Sequence, residues 1–513
     1  MRVENSLKNI IYGITGQLLS SVMGFIVRTV IIYTLGIEYV GIEGLFSSIL
    51  IMLSLTNLGF DTAIIYSLYK PLAENNYYRV RALMNLYKKA YRIIGIIVLV
   101  IGLTILPFLP YLMNGKTHIS NINIIYLLLL INSVSSYYFV YKQSIIIADQ
   151  RNHIISKIHS LFIITSNLFQ IAILLFSHNF IFVLTIQIMF RMIENLFISK
   201  KADNLYPYLN EKNNDKLTKE ERKEFFGDLY ALLLYKVSGV MINGTDNIII
   251  SKFLGIYIVG IYSNYLLIIS TINTFLGYLF YSITASIGNL NVNESPDKKH
   301  LIFNVLNFAN FWIFGVCTVV LWNLINPFIT LWVGNQFVFS NYIVFAILLN
   351  FYTTGLQTAC TSFRETTGLF KKGKYRPIIA AIVNLLASLY LVQKIGVAGV
   401  LWGTVISRLL TYFWYDPYVI FKYVFQRSVK KYFIKYIFFL LLVFISAIIT
   451  NILGNLLDYS TLINVVIRGS LSLVIPNILF FILFRKSEEF NYLLNIIRKI
   501  GVKSSIYRKK AFN

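Results

Sequence analysis

Fourteen apolar stretches of bilayer-spanning length, separated by loops that are basic every second time, limit what this chain can become. A helix needs about 20 apolar residues to cross a membrane. In lipid, only helices and closed barrels satisfy their own backbone hydrogen bonds. The stretches fall near 9–36, 40–68, 90–113, 121–147, 154–176, 179–199, 228–255, 257–289, 302–325, 340–361, 375–393, 396–420, 433–454 and 461–484. All are far longer than barrel strands, which run to about 9–11 residues. The expected fold is an all-α polytopic membrane protein of about 14 transmembrane helices. Composition points the same way: 57% of residues are hydrophobic and only 13% charged, where a soluble domain is about a quarter charged.

A net charge of +24 raises nucleic acid as a partner, but the placement of the charges argues against it. Of the 46 Lys and Arg residues, 38 lie in alternate loops or at the two ends. Five more (Arg28, Arg191, Lys236, Arg408 and Arg468) are in spans, and only Lys116, Lys252 and Lys394 fall in the other loops. Cytoplasmic loops carry the Lys and Arg excess, so both termini are expected in the cytoplasm and no nucleic-acid partner is expected. The basic start is expected to be a retained first span, because its apolar run is too long for a signal peptide and no small-residue cleavage site follows. Cys317 and Cys360 sit in apolar runs and read as small core residues.

The chain repeats itself. Offset by 219 positions, Ile31, Leu35, Gly36, Ile37, Val40, Gly41 and Ile42 meet Ile250, Leu254, Gly255, Ile256, Val259, Gly260 and Ile261. Each copy is an apolar helix that breaks at Leu-Gly and restarts at once. A weaker echo, KIGVAGVLWGT, lies at 394–404. The expected organisation is an N-lobe at 1–199 (spans 1–6), a solvated cytoplasmic linker at 200–227, and a C-lobe at 228–425 (spans 7–12). Extra spans 13–14 follow at 426–485, with a cytoplasmic amphipathic basic tail at 486–513. Residues 71–92 and 487–500 have apolar and basic faces and are expected to lie as helices in the cytoplasmic interface.

Ionisable residues inside spans are expensive and normally face a protein interior or a wet cavity. Arg28 lies eight residues below Gly36, about 12 Å deep at 1.5 Å per residue, and Asp246 lies nine below Gly255 in the equivalent helix. Lys236, Arg408 and Asp61 complete the candidate set. Guanidinium groups grip phosphate oxygens through paired hydrogen bonds, so Arg28, Lys236 and Arg408 are the candidates for an anionic ligand. Asp246 and Asp61 are candidates for charge balance or for a coupling cation. Arg191 and Glu194 are three apart on one face and read as a local pair. No Gly-rich phosphate loop, HExxH or paired-cysteine metal spacing occurs. The external loops leave no room for a soluble catalytic domain, so no catalytic residue, metal or cofactor is expected, and the chain does not read as an enzyme.

Several stretches resemble bacterial polysaccharide-biosynthesis flippases of the multidrug/oligosaccharidyl-lipid/polysaccharide exporter superfamily, Gram-positive type. They are YKPLAENNYYRVRALMNLYKKAYRIIG at 69–95, GTDNIIISKFLGIYIVGIYSNYLLI at 244–268, FRETTGLFKKGKYRPIIAAIVNLLASLYLVQKIGVAGVLWGTVIS at 363–407 and WYDPYVIFKYVF at 414–425. The resemblance implies two pseudo-symmetric six-helix lobes around a cationic cavity, with Arg28 at the position of a cavity arginine in the first span. It implies movement of an undecaprenyl-diphosphate-linked oligosaccharide, a capsule or cell-wall precursor, across the bacterial cell membrane by alternating access. H+, Na+ or membrane potential would drive the cycle, and the partners would be membrane lipids, a polysaccharide polymerase and glycosyltransferases. A lipid II flippase or a multidrug/cation antiporter of the same superfamily is the alternative. A membrane polymerase or glycosyltransferase fits less well, lacking this duplicated hairpin.

Overall fold

The computed structural model describes residues 2–54, 60–114, 119–211, 215–367, 369, 372–373, 375–456, 461–496 and 498. Side chains are described for these except at 2–7, 10, 60–62, 140, 224, 226–238, 242–243, 279, 281–286, 288–293 and 461. Every regular element among them is helical, as lipid demands of a chain with no closed barrel. The chain divides into two compact units, Met1–Thr271 with Pro377–Val400, and Ile272–Arg376 with Leu401–Asn513.

The first unit holds α1 (Arg2–Thr34), α2 (Ile37–Leu53), α3 (Phe60–Ala73), α4 (Tyr77–Ile105), α5 (Leu109–Leu112), α6 (Ile122–Val140), α7 (Gln143–Ala148), α8 (Asn152–Ser177), α9 (Phe180–Leu205) and α10 (Lys219–Leu254). It also holds the first half of α11 (Ile256–Asn293). Packing runs from α1 to α8, from α8 to α9, from α9 to α6 and from α6 to α4. The core centres on Phe46, whose ring meets Tyr126 edge-on at 5.1 Å. The Tyr126 hydroxyl donates to the Gly102 carbonyl at 2.9 Å, which satisfies the polar tip of a buried aromatic.

The repeated hairpin is a real structural repeat. Gly36 (φ 101°, ψ 165°) and Gly255 (φ 91°, ψ 167°) turn the chain identically between α1 and α2 and between α10 and α11. A side chain would strain that backbone. The two copies also pack on each other reciprocally. A Cβ on Gly41 would run into the Ile256 carbonyl, and a Cβ on Gly260 would run into the Ile37 carbonyl. Those four residues are two sets of repeat mates, so α2 and α11 meet as the two halves of a twofold contact do. Gly44 faces Ser263, its own counterpart at the 219 offset, as residues on such an axis must.

The second unit holds α12 (Pro296–Trp332), α13 (Asn341–Thr366) and the remainder of α11. Beyond α14 (Arg376–Ile395), which falls almost wholly in the first unit, it takes most of α15 (Val397–Leu410), then α16 (Tyr412–Ile420), α17 (Lys430–Asn455) and α18 (Thr461–Phe484). Its core is aromatic, with Phe311 stacked on Phe439 at 3.9 Å. The two last helices are tied to α12 by polar bonds inside the bundle, Asn323 to Thr450 at 2.9 Å and Trp312 to Asn477 at 2.7 Å, the interhelical glue usual in lipid.

Two expectations change. Twelve helices among the described residues are long and apolar enough to cross a membrane, so the count of fourteen is approximate. The expected span at 40–68 takes in α2, 17 residues long, and the start of α3, and its residues 55–59 lie outside the described ones. The expected span at 228–255 is the end of the 36-residue α10, which is broken up by polar residues. Residues 77–92 are not a separate interfacial helix, because α4 runs unbroken to Ile105 and buries Val80, Leu83, Tyr87 and Tyr91 in protein. Within the connection at 200–227, Arg81 on α4 binds Asp215 at 2.6 Å and Glu211 at 2.7 Å, and Arg79 binds Glu221 at 3.3 Å.

Candidate functional site

Arg28 sits in the C-terminal half of α1, where the register of the apolar helix leaves it half-buried. Its Nη1 is buried without a hydrogen-bond partner among the described residues. The carboxylate that acts on it is Glu43, one turn and a half into α2. The tight turn at Gly36 is what lays α2 back beside α1 and brings the two charges into range.

The second copy of the hairpin carries different chemistry at the same place. The 219 offset makes Asn247 the counterpart of Arg28 and Tyr262 the counterpart of Glu43. Asn247 donates to the Gly44 carbonyl at 3.2 Å and to the Ser48 hydroxyl at 3.0 Å, so it locks α10 onto α2. Its neighbour Asp246 acts electrostatically on Tyr262. Arg28 and Asp246 therefore lie on the two helices that flank α2, each facing a different partner. At the outer end, Lys252 donates to the Tyr111 carbonyl at 3.0 Å.

Glu43 also lines an open cavity of about 560 Å³ bordered by α2, α6, α8 and α9. Its walls carry Asn132, His159, Gln170, Arg191 and Glu194. His159 Nδ1 lies 2.7 Å from one Glu194 oxygen, and Arg191 Nη1 lies 3.7 Å from the other. The spacing of Arg191 and Glu194 in the sequence points to their pairing. His159, on another helix, carries no such signal.

Arg408 belongs to the second unit. Its Nη1 donates to the Asn350 carbonyl at 3.2 Å, and it borders a narrow recess with Gln357, Tyr432 and Tyr436. The side chains of Lys236 and Asp61 lie outside the described residues. Arg468, in the N-terminal half of α18, bonds Asn455 at 2.7 Å and Asn464 at 3.3 Å.

One buried charge cluster escapes the sequence reading. Asp416 is held by both Arg364, at 2.5 Å, and Arg376, and all three are nearly inaccessible. Arg364 also donates to the Lys372 carbonyl at 2.6 Å, and Arg376 lies over the Tyr412 ring at 4.1 Å. In the sequence both arginines count among loop charges. The available signal is the acid of WYDP, which needs a cationic partner wherever it is buried.

No family model matches the sequence, and no curated protein does. Solved structures do match. A lipid II flippase, MurJ, in an inward closed conformation superposes with a TM-score of 0.62 at 15% identity, over 92% of this chain and 99% of that one. The chain has the fold of the MOP-superfamily transporters. An inward-facing multidrug resistance MATE transporter of that superfamily gives 0.62 at 14% identity, over 82% of this chain and 99% of the other. An outward-facing one gives 0.54 at 14% identity, over 83% and 96%. The all-α, multi-pass membrane architecture is thereby shown.

Proposed function

We propose that the protein flips an undecaprenyl-diphosphate-linked oligosaccharide, a capsule or cell-wall precursor, from the cytoplasmic to the outer leaflet of a bacterial cell membrane. The observation that carries this reading is Arg28, a half-buried guanidinium in a spanning helix whose Nη1 has no hydrogen-bond partner among the described residues, in a fold shared with a lipid II flippase. A guanidinium is the side chain suited to bind a diphosphate through paired hydrogen bonds. Coverage adds support. The flippase matches ten percentage points more of the 513 residues than the inward-facing drug transporter does.

In this reading lobes 1–199 and 228–425 rock about a midplane site as parallel repeats do, and both termini are cytoplasmic. Arg28, with Lys236 and Arg408, receives the diphosphate. Asp246 and Asp61 balance charge or take the coupling ion. A polymerase and glycosyltransferases act on the same substrate before and after it. Arg28→Ala is expected to abolish surface polysaccharide while the protein stays in the membrane at normal level. In liposomes it should stop a labelled lipid-linked sugar from changing leaflets. Wild-type polymer from that variant overturns the role of Arg28.

The second reading is an exporter of organic cations. Glu43 and Glu194, two carboxylates on one cavity, favour it. It predicts resistance to cationic dyes on overexpression and no dependence of surface polymer on the protein.

A further inference from the structure

The open cavity bordered by α2, α6, α8 and α9 is lined by polar and aromatic side chains. At about 560 Å³ it falls in the range of small-molecule sites, about 300–1,000 Å³, and far exceeds the compact oxygen cage that a metal cation requires. Polar side chains gathered on one wall of a membrane-spanning bundle normally face water or a polar ligand.

The charges on its walls are answered from within the same unit. Glu194 is engaged by His159 and Arg191, and Glu43 faces Arg28. The walls carry two carboxylates against one guanidinium, so an anion finds no surplus opposite charge there. What the walls offer beyond those pairs is neutral hydrogen bonding. Asn132, Asn167, Gln170 and Gln187 bring amides from three helices, and Ser47 and Ser133 bring hydroxyls. Asn132 Oδ1 is buried and has no hydrogen-bond partner among the described residues. Buried acceptors are normally satisfied, so this one awaits a donor. Phe162 and Phe190, with ring centroids 6.4 Å apart, add apolar faces to the same wall. Neutral donors and acceptors combined with aromatic faces match a group with many hydroxyls and patches of C–H, which is the chemistry of a sugar ring.

We infer that this cavity is a receiving site for a neutral, hydroxyl-rich group of sugar size, distinct from the Arg28 site for the diphosphate. The inference deepens the proposed function, and it rests on that reading for the idea that the sugar arrives on a lipid carrier. Free sugar and carrier-linked sugar share the chemistry, and the test separates them.

The test uses the full chain in nanodiscs, carrying Cys317→Ala and Cys360→Ala, with Ser133→Cys as the reporter of a small thiol reagent. Ser47→Cys is a second reporter on another helix. The probes are N-acetylglucosamine, glucose, undecaprenyl diphosphate, undecaprenyl-diphosphate-linked N-acetylglucosamine and tetraphenylphosphonium. The linked sugar should slow labelling about tenfold more than undecaprenyl diphosphate does, and Asn132→Leu should remove that difference. Protection by free sugars at equal concentration would assign the site to a soluble sugar and overturn only the carrier-linked part. Equal protection by undecaprenyl diphosphate, protection by tetraphenylphosphonium alone, or no protection by any probe overturns the inference. Arg28→Ala with intact transport sinks the diphosphate reading without touching this one, because the two readouts are independent.

Discussion

At the scale of the residue, the buried groups divide into those that hold the fold and those left with capacity to bind. Asp416 belongs to the first kind. Two guanidiniums converge on it away from water, and removing one partner of a buried pair leaves an uncompensated charge. Asp416→Asn should lower stability by about 3–5 kcal/mol, read as a fall in the unfolding temperature of the detergent-solubilised protein. An unchanged melting profile would show that the cluster contributes little. Gly41 and Gly260 belong to the first kind as well. Gly41→Ala and Gly260→Ala push a methyl group into a facing backbone carbonyl and should each cost about 1–3 kcal/mol. Gly24→Ala on α1 meets nothing within 4 Å and should be neutral or stabilising by about 0.4–1 kcal/mol. The glycine pair is visible in the sequence as a repeated letter. Its reason is not, because the opposing carbonyl lies more than 200 positions away.

At the scale of the element, ion pairs dock segments that the sequence alone leaves loose. The connection after α9 is clasped by Arg81 and Arg79 of α4. Exposed pairs are worth about 0.2–1 kcal/mol each and are screened by salt. Arg81→Ala, or high salt on the wild type, should therefore speed proteolytic cleavage near 211–218, and equal cleavage of variant and wild type would count against the clasp. The helical stretch at 488–496 is docked by Phe490 stacked on Trp312 and by Glu489 bound to Lys435 at 2.5 Å. Burial alone pushes the Glu489 carboxyl up, but the Lys435 hydrogen bond and charge outweigh it and hold it below its ordinary value. The docked value is lower than the free one, so the stabilisation is complete above about pH 4.3 and fades as pH falls through the depressed value. Labelling of a cysteine placed in 488–496 should rise in acid, and Glu489→Gln should label fast at every pH.

At the scale of the whole molecule, the charge pattern and the repeat carry the prediction. A green fluorescent protein fused at the C-terminus should fluoresce, and an alkaline phosphatase fused there should be inactive, since both ends are expected on the basic, cytoplasmic side. The opposite result would invert the topology. The all-α architecture and the hairpin repeat were legible because both follow from local rules. Lipid forbids unsatisfied backbone, and a Leu-Gly break in an apolar helix reads the same wherever it occurs. The count of spans is less sharp, because the stretches at 40–68 and 228–255 take in residues or side chains outside the described ones.

What the sequence by itself determined is the helical class, the near-regular series of spans and the position of Arg28 at depth in one of them. The tertiary structure decided which charges meet. It set Glu43 rather than Asp246 against Arg28, and Asn247 rather than a cation against α2. It also gathered the walls of one cavity from four helices. Those pairings join residues 35, 52 and 203 positions apart, as in His159–Glu194, Arg364–Asp416 and Asn247–Gly44. Hydrophobic periodicity records which side of a helix leaves the lipid, but not which helix waits there, and that is settled only when side chains pack.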